Sequence, residues 1–147
     1  MAIVQCIPDS MLLDFAQGVH DFQAAGDTFK MALYYASATL NSSTTVYTTS
    51  GEVSGTGYSA GGVALTSVDP VVSNNKAIMD FADADFTTVT LVDVAGAMIY
   101  NSSQSNAAVA ILKFTSPISA TAQTLTVTMP GATSTSAIIR LRQISNG

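Results

Sequence analysis

The chain has 147 residues, of which 10% are charged, and its formal net charge is −5. An average soluble domain carries about 25% charged residues, so serine and threonine, 35 residues together, take the place of charge on the surface. Negative charge repels phosphate backbones, which excludes nucleic acid as an expected partner. The length favours a single domain, 1–147, that buries enough surface to fold without disulfides.

Cys6 is the single cysteine, so neither an internal disulfide nor a cluster of thiolate metal ligands is expected. The first residues, MAIVQCIPDS, contain neither the basic region nor the small-residue cleavage site of a secretory signal. No apolar run approaches the roughly 18 residues of a membrane span. These features predict a chain that folds in a reducing cytosol and does not insert into a membrane.

The first predicted element is a helix over 11–22. Pro8 precedes it as a start signal, and either Asp9 or Ser10 is expected to cap it. Apolar residues then recur at helical spacing and form one stripe, which we expect to pack on the core: Met11, Leu12, Phe15, Val19 and Phe22. Gly18 weakens such a helix by about 1 kcal/mol relative to alanine.

The rest of the chain reads as strands and loops. Alternation of apolar residues predicts a strand over 28–35, and 36–62 is a long loop rich in serine, threonine and glycine. Further strands are predicted over 63–68, 76–81, 86–94, 96–100, 107–114, 123–129 and 137–144, separated by turns such as Asp69-Pro70. Seven or eight short strands behind one N-terminal helix predict a mainly β fold, a β-sandwich or barrel.

The segment GEVSGTGYSAGG, 51–62, raises the question of a cofactor site. Its GTGYSA part satisfies the loose dinucleotide pattern G-x-G-x-x-A, but that pattern requires a helix after it to hold the pyrophosphate. Val63-Ala64-Leu65-Thr66 reads as a strand instead, so no cofactor is expected. The glycines then serve tight turns, and Tyr58 becomes a candidate interface residue that packs on a neighbouring surface.

Three carboxylates lie close together in DFADADF: Asp80, Asp83 and Asp85. Oxygen ligands at this density are suited to calcium, although the spacing is not that of an EF-hand loop. Aspartate also favours turns because its side chain bonds to nearby backbone. The sequence leaves open whether these residues bind an ion.

No catalytic set is predicted, so the chain is not expected to be an enzyme. His20 is the only histidine, and a hydrolase triad would place it beside a serine and a carboxylate. Since both types are abundant here, we favour a packing or capping role for His20 at the helix end. The tyrosines could form a sugar-binding platform, but without tryptophan they fit a core or an interface better: Tyr34, Tyr35, Tyr47, Tyr58 and Tyr100.

Two stretches carry a family resemblance. The run HDF…GDTFKMALYYASATLN…TTVYTTSGEVSGTGYSAGGVAL, 20–65, and the later run AGAMIYNSSQSNAAVAILKF, 95–114, resemble small structural proteins of tailed-bacteriophage virions, of the capsid cement or decoration type. The resemblance implies a protein without catalytic residues or cofactors that assembles onto a capsid in the host cytoplasm.

The same resemblance implies partners. The major capsid protein is the expected partner, and the chain itself is expected to form homotrimers at local threefold positions of a head. Two alternatives remain: a component of the tail or head–tail connector, and a receptor- or glycan-binding module displayed on the virion.

Overall fold

A computed structural model describes residues 2–142. The chain forms one helix and seven strands, and the strands form two antiparallel sheets. The mainly β class with one helix near the N-terminus is therefore confirmed. The elements are α1 (Asp9–Ala16), β1 (Phe29–Tyr35), β2 (Val63–Ala64), β3 (Ser67–Ser73), β4 (Lys76–Phe81), β5 (Ala84–Asn101), β6 (Ala107–Val127) and β7 (Ile139–Arg142).

A large sheet has the strand order β2-β1-β5-β6, and a small sheet has the order β3-β4-β7. Phe29, Met31 and Leu33 project from one face of β1 into a core cluster that also contains Met79 and Phe81 of the small sheet. The rings of Phe29 and Phe81 lie 5.3 Å apart between centroids. The two sheets therefore pack as a sandwich around this cluster.

The opposite face of the large sheet is buried as well. Ala32 and Tyr34 of β1 belong to a second cluster with Met98, and residues of the N-terminal segment and the long loop, Ile3 and Leu40, cover it. A strand that is covered on both faces has no polar side, which explains why β1 is almost wholly apolar.

Two strands are much longer than predicted. Residues 86–94 and 96–100 were expected as separate strands but lie together in β5, and 107–114 and much of 123–129 lie in β6. The apparent interruptions are β-bulges, since the β5–β6 register shifts repeatedly and Asp93 and Ala122 adopt φ values of 53° and 49°. Such bulges bend a strand without ending it.

The helix is shorter than predicted and is capped differently. It ends at Ala16 because Gly18 adopts φ +69°, while the Val19 N–H donates to the Asp14 carbonyl and the Gly18 N–H to Phe15. This is a Schellman motif, in which glycine terminates a helix. At the other end the cap position is Pro8, which supplies no side-chain hydrogen bond, so neither Asp9 nor Ser10 is the cap.

The predicted apolar stripe is consequently divided. Met11 is only 1% exposed, whereas Leu12 is 61% exposed, and Phe22 reaches the core from the segment after the helix.

None of the helices in the described part of the chain has the length and apolar character needed to span a bilayer.

The strand predicted over 63–68 is divided between the two sheets. Val63–Ala64 forms β2, and a new strand begins at Ser67, so that Asp69-Pro70 lies within β3 at a register shift rather than in a turn. Proline is tolerated there because β3 is an edge strand. The predicted strand 76–81 is confirmed as β4; of 137–144, residues 139–142 form β7 and 143–144 lie outside the described residues.

Candidate interaction surfaces

The long loop 36–62 is tied to the sheets by isolated bridges. Leu40 pairs with Ile3, Val46 with Ala107, and Thr56 with Thr90. Glu52, which pairs with Tyr34 through the backbone, is the only charged residue between 36 and 62. The loop therefore follows the surface of the large sheet along its length.

The Glu52 carboxylate is the centre of a hydrogen-bond network. One oxygen accepts from the Tyr58 hydroxyl at 2.7 Å and from the Gly61 N–H at 2.7 Å, and the other accepts from the Tyr47 hydroxyl at 2.6 Å. The Tyr58 oxygen in turn accepts from the Leu33 N–H of β1 at 3.0 Å. Three donors on one carboxylate join distant parts of the loop to each other and to the sheet.

Tyrosines from the sheet complete this network. The Tyr34 hydroxyl donates to the Thr48 carbonyl at 2.6 Å, and the Tyr100 hydroxyl donates to the Gly61 carbonyl at 2.7 Å. Burial raises the pKa of the Tyr58 and Tyr47 hydroxyls, and the neighbouring Glu52 carboxylate raises both further. The raised pKa favours the protonated hydroxyl, which is the form that donates to Glu52.

The glycines of this loop allow close backbone approach. A Cβ at Gly57 would collide with the Thr88 carbonyl and one at Gly62 with the Met31 carbonyl, and both residues have positive φ. Only glycine fits these positions without strain. The segment after them is β2, a strand, so the structure lacks the helix that a dinucleotide site would need at this point.

Tyr58, the candidate interface residue, is half-buried, with its hydroxyl in the Glu52 network and its ring 5.9 Å from that of Phe86. Because these contacts are internal, Tyr58→Ala would disturb the fold and would not isolate a contact with a partner. Contact of the remaining ring edge with another protein stays a prediction.

The outer side of the loop is uncharged. Its exposed residues, which we call the loop face, are small or carry hydroxyls: Ser42, Ser43, Thr45, Thr49, Ser50, Ser54, Thr56, Ser59 and Ala60, with Val46 among them. The sole charge of the segment, Glu52, is satisfied within the network. Covering the loop face with another protein would therefore desolvate no charged side chain of the loop itself.

The three aspartates proposed as ion ligands serve separate contacts. Asp80 is buried and accepts from the Phe81 N–H, Asp83 accepts from the Met129 N–H, and Asp85 accepts from a threonine hydroxyl of β6. Among the residues that the structure describes, no group of histidine, cysteine or acidic side chains is arranged to hold a metal. Only Asp80 bonds to adjacent backbone, as the alternative expected; the bonds of Asp83 and Asp85 are to residues more than 40 positions away.

His20 lies in a closed polar cluster beside the helix end. Its side chain is fully buried, its Nδ1 accepts from Asn101 Nδ2 at 2.9 Å, and its Nε2 lies 3.6 Å from an Asp14 carboxylate oxygen. Asn101 also donates to Asp27 at 2.7 Å. Burial lowers the pKa of His20, although Asp14 and Asp27 oppose this. His20 thus joins the helix to the end of β5, in the packing role that the sequence favoured.

Cys6 is half-buried and pairs through its backbone with Ile111 at the edge of β6. Burial raises the pKa of its thiol, and Asp9 raises it further. A raised pKa leaves the thiol protonated and unreactive near neutral pH.

A second kind of surface lies at the two edges of the small sheet. On β3, the exposed residues Val68, Val71 and Val72 form what we call the valine edge. On the opposite edge, a groove of about 360 Å³ separates β7 from α1, which we call the leucine groove. Apart from Arg140, the residues that line it are apolar: Ile7, Met11, Leu12, Phe15, Ala16, Ile138, Ile139 and Leu141.

Sequence reasoning missed both Glu52 and the two edges. Glu52 had a signal, since it is the only charge in a long uncharged segment and tyrosines lie on both sides of it. The valines of β3 gave a weaker one, because Asp69-Pro70 was assigned to a turn that separates Val68, in the predicted strand 63–68, from Val71 and Val72. The pairing of β4 with both β3 and β7, which makes these strands the edges, is a tertiary property.

Comparisons of the chain with protein-family models, with curated proteins and with solved structures gave no significant match. The surfaces just described and the resemblance of 20–65 and 95–114 are therefore the features that bear on function.

Proposed function

We propose that the chain is a structural protein of a phage virion, a capsid cement or decoration protein that stabilises the head by binding across major capsid subunits. The resemblance of 20–65 and 95–114 to such proteins suggests the virion. The observation that carries the proposal further is the loop face, an uncharged surface held in one conformation by the Glu52 network.

A fixed loop is suited to permanent binding. Ordering a flexible loop at an interface costs free energy, and a loop ordered beforehand avoids that cost. The bonds of Glu52 to Tyr47, Tyr58 and Gly61 order the loop within the isolated chain. Small and hydroxyl side chains on its outer side allow close approach to another backbone, and the core of stable interfaces is likewise poor in charge.

Stabilisation of a shell then follows from linkage. A protein that binds only assembled capsid subunits stabilises the assembly by about 2.7 kcal/mol per site at a hundredfold excess over Kd. Many sites on one head multiply this gain, and a protein that contacts several subunits at once is held by all of them.

The proposal is tested by co-sedimentation of the purified chain with phage heads that lack it. We expect saturable binding and a higher temperature of head disruption. Ala60→Lys, which places a charge on the loop face, should weaken binding at least tenfold, because the ammonium would have to be desolvated. Thr124→Lys is the matched control, since Thr124 is an exposed residue of β6 that does not belong to the loop face.

Melting curves of both variants establish that they fold like the parent. Binding of Ala60→Lys equal to that of the control would remove the loop face from the interface. Failure of the parent chain to bind heads would overturn the cement proposal, and binding to purified tails in the same assay would favour the tail alternative.

A further inference from the structure

We infer that the small sheet links copies of this chain head to tail, with the valine edge of one copy seated in the leucine groove of the next. The inference supplements the proposed function, because it assigns self-association to the two sheet edges and leaves the loop face for the capsid. The occupant of the groove is thus a second copy of this chain.

The distribution of apolar side chains supports this assignment. Ten large apolar residues are exposed in the described chain, and five of them lie at these two places: Val68, Val71 and Val72 at the valine edge, and Leu12 and Leu141 in the lining of the groove. Val72 is 80% exposed. Long apolar edge strands invite pairing with another chain, and natural proteins usually protect them.

One edge of the small sheet offers a strand and the other a groove. β3 is an edge strand whose residues are exposed on both faces. β7 has no strand partner on its outer side within residues 2–142, and the groove separates it from α1. An incoming strand can therefore hydrogen-bond to β7 while its alternate side chains enter the groove, as in binding by strand addition.

Charges favour the pairing of unlike edges. Arg140 and Arg142 are exposed on β7, so that two of the chain's five basic residues are at this edge. The valine edge instead carries the exposed Asp69. Pairing of two β7 edges would bring arginines together and pairing of two valine edges would bring aspartates together, whereas the mixed pair joins opposite charges.

An interface between two different edges leaves one of each kind free. Such contacts close into a ring when the rotation between copies permits it and otherwise continue as a filament. The homotrimer expected from the sequence is one ring that this contact could form.

The test uses two variants that each disable one edge. Val72→Lys places a charge on the valine edge, and Leu12→Lys places one at the groove; both positions are exposed, so both variants should fold. Light scattering after size exclusion should find the parent as an oligomer and each variant alone as a monomer. An equimolar mixture of the two variants should form a dimer and nothing larger, because only one intact edge of each kind remains.

Val92→Lys is the matched control, as Val92 is 57% exposed on β5 of the large sheet, and it should keep the oligomer of the parent. Leu141→Lys serves as a second groove variant, and melting curves check that all variants fold. Three results would overturn the inference: a parent that is monomeric up to about 100 µM, well above a micromolar Kd; association of Leu12→Lys alone; or a mixture that stays monomeric. Since no heads are present, these outcomes are independent of capsid binding.

Discussion

The loop face and the valine edge are both exposed, but they differ in what they leave unsatisfied. In the loop, the charge of Glu52 and the hydroxyls of Tyr47 and Tyr58 are bonded within the chain. On the small sheet, apolar side chains and strand edges face solvent. The polar groups of the loop find their partners inside the isolated chain, whereas the strand edges stay unpaired until another strand covers them.

This difference separates the effects of substitutions. Changes in the loop network should affect folding first, because they leave buried polar groups without partners. Changes at the sheet edges should affect association and leave folding almost unaltered, because exposed side chains contribute little to the fold.

The largest effect is expected from Glu52→Ala. The substitution leaves the Tyr47 hydroxyl, the Tyr58 hydroxyl and the Gly61 N–H without their acceptor, and we expect the free energy of unfolding to fall by about 3–5 kcal/mol. Urea denaturation measures this. Asp85→Ala, which removes one exposed bond to Thr126, is the control and should cost about 1 kcal/mol or less. Equal losses in the two variants would show that the loop is not held by Glu52.

A smaller loss is expected from Tyr58→Phe, which keeps the ring and removes the hydroxyl shared by Glu52 and Leu33. We expect about 1–3 kcal/mol, since a buried carboxylate oxygen and a backbone N–H lose a partner. Tyr35→Phe is the paired comparison, because the Tyr35 hydroxyl makes exposed bonds to Ser54 at 3.2 and 3.3 Å. If Tyr35→Phe were the more damaging change, the assignment of the network would be wrong.

Acid should weaken the fold through His20, the only histidine, which lies outside both the loop face and the small-sheet edges. Burial lowers its pKa, so the unfolded chain, with a histidine pKa of about 6.5, binds a proton more readily. Stability is therefore full above about pH 6.5 and declines as the pH falls towards the folded pKa. Urea denaturation at pH 7.5 and 5.5 measures the decline.

His20→Gln should abolish that decline, whatever its effect at neutral pH. Asp80, whose pKa burial raises, acts in the opposite direction, because its folded form retains a proton longer than its unfolded form. A decline of unchanged size in His20→Gln would assign the acid sensitivity to another group.

The smallest effect on folding is expected at the valine edge. Val72→Thr keeps the β-branched shape on a strand and replaces one exposed methyl group by a hydroxyl, so the free energy of unfolding of the isolated chain should change by less than about 0.5 kcal/mol. Denaturation should be measured below the concentration at which copies associate, so that folding and association are not mixed. A loss above about 2 kcal/mol would show that Val72 is buried within the fold.

The sequence predicted best where a local pattern decides the structure. The strand 28–35 and the strand 76–81 were found within a residue, because apolar alternation and flanking turn residues mark them. The prediction was wrong where tertiary pairing overrides the local signal. The break expected between 86–94 and 96–100 is a bulge, with Asp93 in a left-handed conformation inside β5, and Pro70 lies in an edge strand instead of a turn. Gly18 was judged a weak helix residue although it ends the helix, because its φ cannot be read from sequence.

The surfaces were harder to predict than the fold. Tyr58 was expected as an interface residue, which stays a prediction, whereas the direction in which its hydroxyl points depends on Glu52, six residues earlier in a loop without periodicity. The valine edge required the knowledge that β3 lies at the end of the small sheet.

The central claim is that one face of this chain binds a capsid while the edges of its small sheet bind further copies. Electron microscopy of heads reconstituted with the purified chain tests it most directly. We expect density for the chain on the head surface, with the loop face against capsid subunits and β3 of each copy beside β7 of its neighbour. Density on the tail alone, or a loop face turned to solvent with the small-sheet edges against the capsid, would contradict the account.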